Sequence, residues 1–223
     1  MNLKHVAIAA FSYLAIAASP AAAITTIDFT NGAEPDGVTV SSLAGGAVNY
    51  SQAFDGLSPG ASYCQDLGPL ACAFDGFGIG DDEIEADRRT EAARVTFDNG
   101  PTRVLGIHFF DMFTSTNGSE LARFELFDTG GATLLKSELR ANDPADDSGY
   151  AYADFGTGIA GVSYIEFWAR SEFRSPCTTD SCTDDGNNDF AVAGISVVPL
   201  PASAFLLLAG IGGMAAMRRR KKA

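Results

Sequence analysis

The chain has 223 residues, with 28 Asp and Glu against 15 Lys and Arg, and a formal net charge of −13. Six of the basic residues and none of the acidic ones lie in the terminal segments 1–23 and 198–223, so the body between them has a net charge of −19. A nucleic-acid-binding domain is expected to have a basic patch, and this charge balance argues against nucleic acid as a partner.

The N-terminal segment has the pattern of a secretory signal peptide. Lys4 and His5 precede an apolar run of 13 residues, Val6 to Ala18. Ala21 and Ala23 supply the small side chains of a cleavage site, so residues 1–23 are predicted to be removed and the mature chain to begin at Ile24. Export through the Sec machinery follows from this prediction.

The body of the chain has the alternating pattern of β-strands and almost no helical periodicity. Gly, Asn and Asp clusters separate the apolar runs. The predicted strands are Ile24–Phe29, Val38–Ser42, Ala93–Phe97, Arg103–Phe110, Ala122–Leu126, Thr133–Leu139, Tyr150–Phe155, Val162–Arg170 and Phe190–Val198. This set predicts one all-β domain over residues 24–197, an antiparallel β-sandwich of the jelly-roll or carbohydrate-binding-like type.

The four cysteines fit an oxidising, exported environment. They allow three pairings, of which we expect the local one, Cys64 with Cys72 and Cys177 with Cys182, because each pair lies in a loop rich in Gly, Pro or Asp. A zinc site is the alternative, although the sequence contains no Cys-x-x-Cys and His108 is the one histidine of the body.

Two acidic loops are candidates for a structural Ca²⁺ site, since Ca²⁺ prefers hard oxygen ligands. Asp81, Asp82 and Glu83 are consecutive acids in the first loop, and Asp189 ends the second loop, which runs from Asp180. Neither loop has the spacing of an EF-hand. A solvated acidic turn is the alternative interpretation of both.

Aromatic side chains are the candidates for ligand binding. Tyr150, Tyr152, Tyr164 and Trp168 are of the kind that stacks on sugars, and in the strand of residues 164–168 the alternation predicts Tyr164 and Trp168 on the face away from the core. Cross-strand packing is the alternative role for both.

The sequence gives little indication of a catalytic site. His108 lies between Ile107 and Phe109 and is predicted to be a residue on a sheet face. No Gly-x-Ser-x-Gly motif, phosphate loop or dinucleotide fingerprint occurs. We therefore expect a protein that is not an enzyme.

The C-terminal segment combines a proline motif, an apolar run and a basic end. The apolar run from Ala204 to Met217 is 14 residues long, about 21 Å as a helix against a hydrocarbon core of about 30 Å. Including Leu200–Ser203 brings it near spanning length, so a short transmembrane helix is predicted. The cations that follow predict a cytoplasmic stop. They are Arg218, Arg219, Arg220, Lys221 and Lys222.

This order of features resembles the PEP-CTERM class of bacterial sorting signals in its VPLPA variant. The motif residues are Val198, Pro199, Leu200, Pro201 and Ala202. The resemblance implies recognition by an exosortase, a membrane-embedded cysteine protease.

Together these features predict an exported, non-enzymatic structural or interaction protein. Its precursor would be tethered to the inner membrane and the product delivered to the cell surface or the extracellular matrix. The alternative function is a secreted carbohydrate-binding module that acts on exopolysaccharide.

Overall fold

The computed structural model describes residues 23–50, 70–80, 83–85, 91–112, 114–115, 118–140, 149–169 and 190–198. They belong to a compact unit that spans Ala23–Leu200. The regular elements within these ranges are strands: β1 (Thr25–Asp28), β2 (Val38–Ala44), β3 (Val48–Asn49), β4 (Gly78–Ile79), β5 (Ala92–Phe97), β6 (Thr102–Phe110), β7 (Thr114–Ser115), β8 (Gly118–Ser119), β9 (Leu121–Phe127), β10 (Thr133–Arg140), β11 (Ala151–Val162), β12 (Tyr164–Trp168) and β13 (Ala191–Val198).

Nine of these strands form two antiparallel sheets. The four-stranded sheet has the order β1-β13-β6-β11, and the five-stranded sheet has the order β10-β9-β12-β5-β2. If β2 is set aside as an added edge strand, the remaining eight have the strand order of a jelly roll, in which only the consecutive strands β9 and β10 belong to the same sheet. The predicted all-β jelly-roll sandwich is therefore confirmed, and each predicted strand overlaps one of the nine.

The core lies between the two sheets. Alternate residues of each central strand point into it, which is why Ile107 and Phe109 of β6 meet Ile165 and Phe167 of β12 in one buried cluster. The aromatic rings connect the sheets. The ring of Phe109 lies 5.8 Å from that of Phe124 and 6.2 Å from that of Phe167, measured between centroids.

The first and last strands of the sandwich lie side by side. β1 pairs with β13 in antiparallel register, with Thr25 opposite Val197 and Asp28 opposite Gly194. The start of the domain and the end of its last strand are therefore neighbours at one edge of the four-stranded sheet.

Residues 70–77 run from the outer face of the four-stranded sheet, past the turn that follows β1, to the edge of β13, where the ring of Phe77 enters the core. Leu70 and Cys72 form a small buried cluster with Phe110, Ala191 and Ala193. Phe77 and Val192 exchange backbone hydrogen bonds of 3.1 and 3.2 Å.

Gly76 makes this packing possible. It has φ of +132°, and a Cβ at this position would lie 2.3 Å from the carbonyl oxygen of Val192. Gly100 also has a positive φ, +91°, but a Cβ there would meet nothing within 4 Å. Substitutions at these two positions can therefore distinguish the cost of backbone strain, present at both, from the cost of a steric clash, present only at Gly76.

We predict that Gly76→Ala lowers the free energy of unfolding by about 3 kcal/mol, because strain at positive φ is added to a clash with the rigid backbone of β13. Gly100→Ala is the matched control and should cost about 1 kcal/mol, since only the strain remains. Urea unfolding of both variants measures the difference. Equal losses would contradict the close approach of residues 70–77 to β13.

Candidate functional site on the outer face of the four-stranded sheet

His108 lies on the outer face of the four-stranded sheet. Its neighbours Ile107 and Phe109 point into the core, so alternation turns the imidazole to the opposite side. This confirms the prediction of a sheet-face residue. The side chain is nonetheless covered, because His108 is only 7 % exposed.

Both ring nitrogens of His108 have hydroxyl partners, one just before β11 and one in β13. Nδ1 lies 2.9 Å from the hydroxyl of Tyr150, and Nε2 lies 2.9 Å from the hydroxyl of Ser196. Ser196 also hydrogen-bonds Tyr152 and lies 3.4 Å from the hydroxyl of Thr26. The imidazole ring packs on that of Tyr152, with centroids 4.5 Å apart. This hydroxyl and imidazole network joins β1, β13, β6 and the start of β11.

Two glycines leave the space that the network needs. A Cβ at Gly106 would lie 2.2 Å from the hydroxyl oxygen of Tyr152, so this phenol lies directly over the backbone of β6. A Cβ at Gly194 would lie 2.7 Å from Leu70, which covers the neighbouring position of β13. Larger residues at either position would displace the covering side chain.

Burial keeps the imidazole neutral. Loss of solvation lowers the pKa of His108 from 6.5 to about 4, and the charge of Asp28 opposes part of that shift. A neutral imidazole has one donor and one acceptor, which the two hydroxyl partners satisfy in either tautomer. Burial likewise raises the pKa of the Tyr150 phenol, with a smaller contribution from Tyr152.

A serine hydroxyl beside an imidazole nitrogen is also the starting pair of nucleophilic catalysis. Ser196 is only 7 % exposed, and its one hydroxyl is shared among His108, Tyr152 and Thr26. A reacting carbon must come within about 3–3.5 Å of a nucleophile, and the groups that bond this hydroxyl occupy that space. The geometry supports a polar clamp between strands better than a reactive centre.

An open cleft of about 420 Å³ lies beside β1. Its walls are β1 itself and the loop of residues 31–36. The loop contributes Asn31, Glu34 and Asp36, while Thr26 and Asp28 contribute from the strand. Because Thr26 also reaches Ser196, the cleft adjoins the hydroxyl and imidazole network.

The outer face of the five-stranded sheet has a different chemistry. As predicted, Ile165 and Phe167 belong to the core and Tyr164, Glu166 and Trp168 point away from it. The carboxylate of Glu166 lies 2.5 Å from the guanidinium of Arg94.

Both aromatic residues that were predicted to bind a ligand on this face, Tyr164 and Trp168, are covered by other side chains of the protein. Tyr164 lies between Phe127, at 4.6 Å in a stacked arrangement, and the guanidinium of Arg94, 4.5 Å above the ring. Trp168 is 6 % exposed. A sugar that stacked on Trp168 would first have to displace the groups that cover it.

The structure brings the ends of the two acidic loops together. The N–H of Ile84 donates to the carbonyl of Phe190 at 2.8 Å, and the carbonyl of Glu83 accepts from Ile79 at 2.8 Å. Asp81, Asp82 and Asp189 lie outside the described residues. Among the residues that are described, no three His, Cys, Asp or Glu side chains are grouped so as to hold a metal ion.

Cys72 is the one predicted disulfide cysteine within the described ranges. It is 5 % exposed and is disulfide-bonded. Cys64, Cys177 and Cys182 lie outside those ranges, so the predicted pairing stays a prediction.

Of the predicted terminal signals, only Ala23 and Val198 are among the described residues. Ala23 is described and exposed, whereas the cleavage residue Ala21, the motif from Pro199 to Ala202 and the basic residues Arg218 to Lys222 lie outside. Within the described part of the chain, no helix is long and apolar enough to cross a membrane.

The sequence analysis did not identify Ser196 or Thr26 as site residues, and it did not predict the cleft. Ser196 gave a local signal, since it interrupts the apolar run of β13 between Ile195 and Val197 and so had to face outwards. Its partner His108 is 88 residues away, and no local pattern connects the two.

Comparison with known proteins adds little to this description. No protein-family model and no curated protein matches the chain. A similar solved structure is a crystal structure of the F5/8 type C domain of a Bacteroides fragilis protein, with 16 % sequence identity and a TM-score of 0.35. The match covers 79 % of this chain and 98 % of that domain. At this level of similarity we draw no conclusion from it.

The pKa of His108 predicts loss of stability in weak acid. In the unfolded chain His108 takes up a proton below pH 6.5, whereas in the folded protein it stays neutral down to about pH 4. The neutral, buried imidazole therefore contributes fully to the free energy of unfolding above pH 6.5, and this contribution is lost as the pH falls from 6.5 to 4. The loss should be at most about 3 kcal/mol. Urea unfolding at pH 7 and pH 4 should show a smaller loss in His108→Gln than in the unchanged protein. The same pH dependence in both would contradict the buried neutral imidazole.

Proposed function

We propose that the protein is an exported, non-enzymatic cell-surface or extracellular-matrix protein, sorted by an exosortase through residues 198–223. The observation that supports this most is the position of the sandwich within the chain. β1 begins at Thr25, just after the predicted cleavage site at Ala23, and β13 ends at Val198, the first residue of the sorting motif. Removal of residues 1–23 and 198–223 would take only the last residue of β13 and would leave the other strands of both sheets intact.

The pairing of β1 with β13 supports a simple route of processing. Thr25 lies opposite Val197, so both ends of the folded domain are at the same edge of one sheet. Export through Sec would leave the domain outside and the tail in the inner membrane. The exosortase would then find its motif beginning at Val198, the last residue of β13, whose carbonyl accepts a hydrogen bond from the hydroxyl of Thr102 at 3.2 Å.

The absence of a catalytic role is part of the same proposal. The imidazole of His108 is held neutral and buried, and the hydroxyl of Ser196 bonds Tyr152 and Thr26 as well as the ring. The exported domain would then act through its surfaces, which are strongly acidic. We do not extend the proposal to exopolysaccharide binding, because the burial of Trp168 and the packing of Tyr164 give that function no support.

We also propose a structural Ca²⁺ bound between the two acidic loops. Ile84 and Phe190 are joined by a backbone hydrogen bond, and Glu83 and Asp189 are the residues that precede them in the sequence. This proximity supports a shared site. This proposal concerns stability and is independent of the sorting route.

The Ca²⁺ proposal predicts a higher melting temperature in Ca²⁺ than in chelator. A site filled to a hundred times its dissociation constant would add about 2.7 kcal/mol, equivalent to several degrees. The shift should vanish in a variant with Asp82→Asn and Glu83→Gln and should persist in Glu138→Gln, which removes an acid from β10. An equal shift with Mg²⁺ would show screening of the acidic surface in place of a site.

The sorting proposal predicts that Pro199→Ala combined with Pro201→Ala leaves export intact and the C-terminus uncleaved. The two prolines remove backbone donors and hold an extended segment beyond the end of β13. Pro101→Ala is the matched control and should be processed normally. Intact mass of the protein recovered from cells reports both cleavages, and normal processing of the double variant would remove the motif from the mechanism.

A further inference from the structure

Among the described strands, β1 is the edge strand of the four-stranded sheet, and we call the side that faces away from β13 its open side. Within the described residues it pairs only with β13. The N–H of Phe29 donates to the carbonyl of Ala193 at 3.0 Å, which sets the alternation of hydrogen-bonded pairs along the two strands. In an antiparallel pair every second residue turns its N–H and C=O away from the partner. Here those residues are Thr26 and Asp28.

The open side of β1 faces the cleft beside the strand. Thr26 and Asp28 line this cleft, and the loop of residues 31–36 forms its other wall. An added strand lies about 4.8 Å from its neighbour, so a cleft of about 420 Å³ along the edge has room for a short extended segment. The site therefore offers main-chain donors and acceptors inside a concave surface.

The walls of the cleft are acidic. Asp28 is fixed in place, because one carboxylate oxygen accepts from the N–H and hydroxyl of Thr30 and the other accepts from the N–H of Ala71. Glu34 accepts from the N–H of Val40. Asp36 lies on the same loop and is exposed. The described residues that line the cleft include no Lys or Arg, so their charge favours a cationic ligand.

We propose that an extended, lysine- or arginine-bearing segment of a partner protein binds here by adding a strand to β1. Main-chain hydrogen bonds to Thr26 and Asp28 would hold the segment, and Glu34 and Asp36 would select its basic side chains. This inference does not depend on the sorting route.

A second copy of the chain is a poorer occupant. Two-fold pairing of β1 with itself would place the same acidic wall of each copy against that of the other. Such like charges repel at the short distances of an interface.

The test is binding of a short fluorescent peptide that alternates lysine and threonine, measured by anisotropy with the full-length protein in a mild non-ionic detergent. Thr26→Pro removes the outward N–H and should weaken binding at least about tenfold, since proline is tolerated at an open edge but cannot donate. Thr26→Val keeps that N–H and is the matched control, with a change below about threefold.

The charge and the strand geometry are tested separately. Glu34→Gln with Asp36→Asn should weaken binding about fivefold, while Glu138→Gln on the other sheet should not change it. A peptide N-methylated at alternate positions should lose at least about tenfold in affinity, and this measurement stands even where T26P does not fold.

Equal binding of the plain and N-methylated peptides would overturn the proposal, because charge alone would then explain the affinity. Equal binding of a peptide with glutamate in place of lysine would also overturn it. Absence of binding together with self-association that T26P abolishes would identify a second copy as the occupant, and absence of both would leave β1 without a ligand of this class.

Discussion

The constraint on which the structure depends is the burial of aromatic rings between the two sheets. Phe109 of the four-stranded sheet meets Phe124 and Phe167 of the five-stranded sheet, and Phe77 meets Phe29 at 4.9 Å and Phe167 at 6.0 Å. Each such pair contributes about 0.5–1.5 kcal/mol beyond the burial of its area. Because these rings fix which residues of each strand point inwards, they also fix which residues form the two outer faces.

The outer faces have different roles as a result. On the four-stranded sheet, neutral hydroxyls and an uncharged imidazole join four strands, which costs little desolvation because every buried polar atom of His108 has a partner. On the five-stranded sheet, Arg94, Glu166 and Tyr164 form an ion pair and a cation–π contact beside a buried Trp168. The described residues of the two faces expose no broad aromatic surface, so an edge of the sandwich is the better candidate for a binding site.

Prediction from sequence succeeded where the signal was local and failed where it was not. The nine principal strands were found because each is long enough to show alternation. The short pairs β3–β4 and β7–β8 were missed because two residues have no period. β11 was predicted to end at Phe155 but continues to Val162. Gly156 and Gly158 suggested a break there, and the structure accommodates them at positive φ within a register shift between Asp154 and Ile159.

The sequence by itself determined the strands and the side of each strand that faces the core, because both depend on residues close together in the chain. The export signal and the sorting motif are local patterns of the same kind and stay predictions. Only the tertiary structure decided which strands are neighbours. The turn at Asn99-Gly100 has the same sequence signature whether it joins two strands of one sheet or, as here, leads from β5 in one sheet to β6 in the other. The partners of His108 and the open edge of β1 follow from that arrangement. They depend on how the two sheets close over a common core, which no local pattern encodes.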